Sequence, residues 1–499
     1  MWNHPMMPAR MRGVAAARRI LASALLGIGA LSGSGLATGS QAAPDAAPAA
    51  TPVRRPTTPP VAGAAASAVT SASAAPAVVQ AAAQPARVPA SAALETLAVQ
   101  RDAQVARGRY LALAADCAAC HKSDANVPFV GGAPLNSPFG KIYASNITPD
   151  AETGIGRYTR DDFEAALRRG IARGGKRLYP AMPYASFARM SDGDIDALYA
   201  YFMKGVVPVQ HVVPATRLPF PFNQRWALAL WDGIFVEHQR FVPDRSRDAL
   251  WNRGAYLVQG AGHCGACHTP RGPAYEERGY DESSRRYLTG AVNDHWFAPN
   301  LTGRAADGLG RWSETELTRF LATGHGNGAI AFGAMGPVVT ESLQYLEQRD
   351  VQAIAHYLKS LAPRGGSTAR YASASSEAQR SAAWLQSGSV ELPGAGLYAN
   401  FCARCHRIDG RGQDGYPALA GSSLVLADDA TSLVRLVLEG GHSPEVNGMP
   451  RVAMPAFGQH LNDEQIAQVV GFVRNSWGNR AVPPTTRAVT RLRATLRKQ

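Results

Sequence analysis

Cysteine is scarce in this chain of 499 residues, and none of the six lies outside three close pairs. Pairs that tight cannot staple distant parts of a fold, which argues against a disulfide scaffold and for chemistry at each pair. Strand signals are sparse too, so the pattern points to a mainly α protein. Long apolar runs are missing except between Ile20 and Leu31, and that run is short for a membrane span of about 20 residues. No Gly-x-Gly-x-x-Gly follows a strand pattern and no residue stands out as a general base, so no side chain is assigned a catalytic role. Carboxylates are absent from residues 480–499, and only two occur before residue 100.

That last absence explains a net charge of +13, because +5 falls on residues 1–99 and +6 on residues 480–499. Between them 38 basic side chains face 36 acidic ones, too even a balance for a nucleic-acid-binding body. Arg10, Arg12, Arg18 and Arg19, then Ile20–Leu31, then Ser40-Gln41-Ala42 read as an export signal over residues 1–42, cleaved rather than kept as an anchor. Residues 43–98, rich in Ala, Pro, Ser, Thr and Val, read as a linker. In the basic tail, residues 480–499, Val489, Leu492 and Leu496 share a helical face. This is the pattern either of a segment lying on anionic lipid or of a disordered tail.

The body repeats itself. Asn146-Ile147-Thr148 matches Asn300-Leu301-Thr302, and Gly156-Arg157-Tyr158-Thr159 matches Gly310-Arg311-Trp312-Ser313. Gly170 and Gly324 keep the same offset, and a third, diverged copy begins near Pro393. Each copy opens with Gly-x-Tyr: Gly108 with Tyr110, Gly254 with Tyr256, Gly396 with Tyr398. Thr159-x-x-Asp162 and Ser313-x-x-Glu316 predict capping boxes, and amphipathic helices over 195–202, 351–361 and 466–473 close the copies. The expected layout is three tandem domains at 99–245, 246–365 and 388–479, with a linker at 366–387.

Every cysteine belongs to Cys117-Ala-Ala-Cys120-His121, Cys264-Gly-Ala-Cys267-His268 or Cys402-Ala-Arg-Cys405-His406. Two thiols three residues apart suit thioether bonds to the two vinyl groups of one haem, with the next histidine beneath the iron. Zinc would need further ligands at suitable spacing, and a redox Cys-x-x-Cys needs no histidine after it. Three covalent haems c are therefore expected. As sixth ligands the spacing offers Met182, Met335 and Met454, each in a Pro- or Gly-containing loop, since a thioether favours ferrous iron. Met190 beside a helix start looks like packing, Met449 competes with Met454, and His211, His325 and His442 could also serve as ligands. Asn146 and Asn300, with Thr148 and Thr302, either meet polar groups at the haem edge or cap a turn.

The chain resembles the three-haem cytochrome c subunits of bacterial membrane-bound alcohol, gluconate and other polyol dehydrogenases, over roughly residues 100–480. The resemblance rests on Asn146-Ile-Thr-Pro-Asp150, Leu178-Tyr-Pro-Ala-Met-Pro-Tyr184, Leu218-Pro-Phe-Pro-Phe-Asn223, Gly262-His-Cys-Gly-Ala-Cys-His-Thr-Pro-Arg271, Ala298-Pro-Asn-Leu-Thr302 and Trp477-Gly-Asn479. It implies three cytochrome c-like domains, Met182, Met335 and Met454 as distal ligands, and His263 as a group supporting the second site. It also implies a periplasmic protein, peripheral on the outer face of the cytoplasmic membrane. Electrons would come from a quinoprotein, flavoprotein or molybdoprotein subunit oxidising an alcohol, sugar acid or aldehyde. They would leave to ubiquinone or an oxidase, and the chain would not be catalytic alone. Two rival readings are a stand-alone haem enzyme with one open iron and a free periplasmic shuttle.

Overall fold

The computed structural model describes residues 90–497 apart from 414, 447, 448 and 450, with side chains described from residue 101 onward. The export signal and most of the 43–98 linker lie outside the described residues. The protein is mainly α. Among the described residues its strands form five two-stranded antiparallel ribbons, none of more than four residues per strand.

Eight of the helices among the described residues place the copies. The first copy of the repeat opens with α1 (Ala90–Ala114) and closes with α2 (Asp192–Lys204), and α3 (Ala227–Phe235) lies in the connecting segment. The second runs from α4 (Ala249–Gln259) to α5 (Gln348–Ser360). The third runs from α6 (Ala395–Phe401) to α7 (Asp463–Arg474), and α8 (Thr486–Leu496) follows it. Helix α1 starts at Ala90, inside the stretch read as linker. Both expected capping boxes are present: Thr159 and Ser313 accept from the backbone N–H of Asp162 and Glu316, whose side chains bond back. The helices they start end at Gly170 and Gly324, both left-handed at φ 60° and 73°.

The opening and closing helices of a copy cross in near backbone contact. A Cβ at Gly108 would stand 1.9 Å from the Ala197 carbonyl oxygen, and one at Gly254 would stand 1.9 Å from that of Ala353. Glycine is what lets the helices meet there. In α5, Val351, Ile354, Ala355 and Leu358 recur at helical spacing and are buried with Trp251, Ala255 and Val258 of α4. Each large aliphatic side chain so buried stabilises the fold by roughly 1.5–3 kcal/mol. The third copy uses a different register. There Gly394 makes the close approach, to the Gln468 oxygen, whereas Gly396 meets only Val390. Tyr398 turns into its own core against Phe472 and Trp477, its hydroxyl donating to the Arg407 carbonyl.

Tyr110 and Tyr256 do something different: each crosses into the other copy. The Tyr110 hydroxyl donates to Asp350 at 2.6 Å and accepts from the Glu347 N–H, and the Tyr256 hydroxyl donates to Asp194 and accepts from the Ser191 N–H. Each carboxylate, in the first turn of a closing helix, also pairs with the arginine just ahead of a crossing glycine, Arg107 with Asp194 and Arg253 with Asp350. The exchange is two-fold symmetric, and one hydrophobic core runs through both copies, while the third copy has its own.

Burial pushes the Asp350 carboxyl up, but the Arg253 guanidinium and the Tyr110 hydroxyl outweigh it and hold the group below the usual carboxylate range. Asp350→Asn is expected to cost about 2–3 kcal/mol at neutral pH, less than a fully buried pair would, because Asn still hydrogen-bonds. The wild-type advantage is complete above about pH 4, the ordinary carboxylate value, and closes as acid protonates the folded carboxyl below it. Urea titrations of both proteins across that window check it. A penalty that grew toward acid would contradict the assignment.

Helix α8 settles what the tail's apolar face does. Val489 is fully buried, and Leu492 and Leu496 pack on the third copy's core. Thr490 and Arg493 bond Asp463 at 2.6 Å each. Those three apolar residues thus belong to the protein's own interior, and neither reading of the tail, lipid-bound face or disorder, fits. Nearby, buried Arg474 donates to the carbonyls of Val425, Ala427 and Val482. Desolvation lowers its pKa to about 10.

Candidate functional site

Each Cys-x-x-Cys-His forms a single helical turn, over Cys117–Cys120, Gly265–His268 and Ala403–His406. The first follows a break at Asp116, which is left-handed at φ 48°. One turn puts both thiols of a pair on the same side with the histidine just beyond them. Burial pushes the thiols of Cys117, Cys264 and Cys402 up to about 12 and that of Cys120 to about 11, and raises Cys267 as well. Thiols so held are protonated at neutral pH, unlike the low-pKa thiolates of redox-active cysteines.

The three imidazoles are treated alike. The Nδ1–H of His121 donates to the Ser145 carbonyl at 2.7 Å, that of His268 to Pro299 at 2.7 Å, and that of His406 to Pro417 at 2.9 Å. Burial lowers the pKa of all three, so the rings are neutral. A neutral ring with its Nδ1 proton committed offers Nε2 as its one lone pair, the form an iron takes. Donor set and tautomer therefore fit a covalent haem, whose chemistry would be one-electron transfer at the iron.

The methionines sit less uniformly. Met182 lies in a turn between Tyr179 and Tyr184, its N–H donating to the Tyr179 carbonyl. Met335 opens a one-turn helix, Met335–Pro337, and Met454 lies on a strand paired with Gly441. Met182 and Met335 line the joint core as partly buried side chains. Met190 is fully buried, as packing. Met449 is half-buried. Of the three histidines that could compete with these thioethers, His442 is exposed and bonded to the Ser443 carbonyl, and His211 lies over Gly132. His325 is buried with Nε2 unpartnered.

The cytochrome c family model matches residues 105–205, 252–362 and 392–477, one Cys-x-x-Cys-His in each segment. The chain belongs to the cytochrome c family. Within it, the chain is 46% identical to a gluconate 2-dehydrogenase cytochrome c subunit of Pantoea cypripedii, over 77% of this chain and 88% of that one. It is 44% identical to the cytochrome c subunit of a quinone alcohol dehydrogenase of Gluconacetobacter polyoxogenes, over 81% and 87%. It is 39% identical to a fructose dehydrogenase cytochrome subunit of Gluconobacter japonicus, over 78% and 82%. The resemblance read from the sequence is thereby confirmed, and covalently bound haem c follows from the family.

The role of the paired asparagines in this cytochrome is now plain. Asn146 Oδ1 accepts from the Thr148 N–H and hydroxyl, and its Nδ2 donates to the Val209 carbonyl at 2.8 Å. Asn300 accepts likewise from the Thr302 N–H and donates to the Arg364 carbonyl at 2.8 Å. Of the haem-edge contact and the turn cap, the turn cap is the one these bonds make. The cap staples the chain leaving the closing helix to the loop whose preceding carbonyl, Ser145 or Pro299, holds the histidine. The third copy uses Asn479 instead, which accepts from the Gly421 N–H and donates to the carbonyls of Leu419 and Val473. Sequence reasoning missed that equivalence, because Asn479 lies after the closing helix whereas Asn146 and Asn300 lie before it. His263, at φ 34°, packs edge-on to Phe187 and reaches the Ala115 carbonyl at 3.3 Å, joining the second attachment motif to the residues just ahead of the first.

Proposed function

We propose that the protein is the three-haem electron-transfer subunit of a periplasmic dehydrogenase complex, built as three cytochrome c-like domains at 99–245, 246–365 and 388–479. A partner subunit oxidises an alcohol, a sugar acid or polyol, or an aldehyde, and its electrons pass through this chain to quinone or a terminal oxidase. Cys117 with Cys120, Cys264 with Cys267 and Cys402 with Cys405 bind the haems. His121, His268 and His406 are the proximal ligands, and Met182, Met335 and Met454 are the distal ones. The observation that carries this reading is the threefold recurrence of one arrangement, a thiol pair on a single helical turn followed by a neutral imidazole locked through Nδ1 to a backbone carbonyl. The curated relatives serve alcohol, gluconate and fructose oxidation in their own complexes. That range of substrates suits a chain that carries electrons and leaves substrate choice to its partner. An exported chain on the outer face of the cytoplasmic membrane fits the leader and the linker.

Carbon monoxide tests the ligand set. Added to the dithionite-reduced protein, it is expected to leave the Soret band unshifted, because thioether ligands close all three irons. A shift accounting for one haem in three would instead favour a haem enzyme with an open site. Co-purification tests the complex: affinity capture of this chain from its source membranes is expected to bring down a dehydrogenase subunit that reduces it on adding substrate. Recovery of the chain alone in the soluble periplasmic fraction would mark a free shuttle.

A further inference from the structure

We infer that the segment connecting the first two copies of the repeat is a membrane-surface site, where Phe220, Phe222, Trp226 and Leu230 bed into the interface of an anionic bilayer. The inference deepens the proposal that the complex works at the membrane, by naming the surface that touches it.

Four large apolar side chains stand in water here. Phe220 is 77% exposed and Trp226 71%, with Phe222 and Leu230 at 45% each. They are not a core left unfinished. The loop closes on itself through the Phe222 and Asn223 N–H groups donating to the Pro219 carbonyl, and the Gln224 N–H donating to that of Pro221. It is pinned from beneath as well. The Phe222 ring lies 4.3 Å from that of Phe139, and the Tyr179 hydroxyl donates to the Phe222 carbonyl at 3.1 Å. Helix α3 then divides its faces. Asp232 is buried and bonded to Arg177 and Tyr184, and Trp231 donates to the Ala274 carbonyl. Trp226, Ala229, Leu230 and Gly233, at helical spacing, face outward and are exposed. A rigid shelf of aromatic and aliphatic side chains is the form an interfacial anchor takes.

Charge selects lipid as the occupant. From Ala197 to Trp231 the chain carries no carboxylate, while Lys204, Arg217 and Arg225 are basic. Arg225 is occupied beneath the shelf, over the Tyr179 ring and bonded to the Arg177 carbonyl. Exposed Arg217 lies in the connector itself. Exposed Lys141 follows Gly140, which packs toward Leu218 and Pro219, and exposed Lys176 precedes Arg177. An apolar centre containing tryptophan, with basic groups around it, matches the headgroup layer of an anionic membrane. Bedded this way, the shelf holds the Leu178–Tyr184 segment, which contains Met182, beside the bilayer in which a quinone dissolves.

Flotation of the purified holoprotein with vesicles of phosphatidylglycerol and phosphatidylcholine tests this. Wild-type protein is expected to rise with the vesicles, and F220S/W226S to lose roughly tenfold or more of that association. W384S, which alters another exposed tryptophan on the helix Ser376–Gln386, is expected to float like wild type. The inference is overturned if wild type fails to float, or if F220S/W226S floats unchanged. It is also overturned if F220S/W226S keeps its lipid binding but loses the co-purifying dehydrogenase subunit, since the shelf would then be a protein-docking face. None of these outcomes bears on electron transfer, which is judged separately by substrate-driven reduction of the haems in the same variant.

Discussion

Serine at both Cys264 and Cys267 is expected to yield a protein lighter than wild type by about 0.6 kDa, the mass of one haem beyond the substitutions themselves. Thioethers form only from the thiols, so no other side chain can replace the attachment. The two remaining pairs are separate turns and should keep their haems. The middle site is the informative one because its surroundings belong to the core shared by two copies. Cys264 packs against that core, and His263 beside it reaches the Ala115 carbonyl next to the first motif. Loss of a flat cofactor there should lower the melting temperature of the first two copies together and leave the third, with its separate core, nearly unchanged. Intact mass and haem-stained gels check the count, and limited proteolysis checks which part loosens. An unchanged mass would show that these thiols bind nothing covalently.

Gly254→Ala should be among the most damaging single-methyl additions available. Its Cβ would enter to 1.9 Å of the Ala353 carbonyl oxygen, backbone that cannot rotate away, and the Tyr357 Cβ lies 2.8 Å off. Helices α4 and α5 would have to part, weakening the joint core and withdrawing Tyr256 from Asp194. The expected cost is about 3 kcal/mol or more, in the range of severe overpacking. Gly193→Ala supplies the contrast. Gly193 lies in α2 with nothing within 4 Å of its would-be Cβ. Alanine there should be neutral or stabilise by roughly 0.5–1 kcal/mol, as it does in exposed helices. Chemical denaturation followed by tryptophan fluorescence separates the two. Equal effects would mean that the helix crossing is not the constraint it looks.

What was legible in the sequence was whatever depends on short spacing. Two cysteines and a histidine fix the attachment turn, and two residues three apart fix a capping box, whereas Gly108 and Gly254 were legible as part of the repeat and not as helix crossings. The long-range features were not legible. Nothing near Tyr110 says that its hydroxyl ends on Asp350, 240 residues away. In the third copy the crossing glycine is Gly394 rather than Gly396, since a Gly-x-Tyr there imitates a register that the packing does not use. The tail's three apolar residues have the period of a lipid-facing helix, and period alone cannot tell a bilayer from the protein's own core. Conversely, nothing in the local sequence of Phe220 and Phe222, which alternate with Pro219 and Pro221, says that the fold leaves them outside.

The exchanged tyrosines carry a consequence for the ancestry of the chain. Each of the first two copies holds both halves of the joint, a hydroxyl to give and a carboxylate to receive, so the surface is self-complementary in the manner of an isologous dimer. A progenitor with one such copy would already have paired with itself through the same bonds. Duplication within one gene would then have fused two partners whose contact surfaces already fitted.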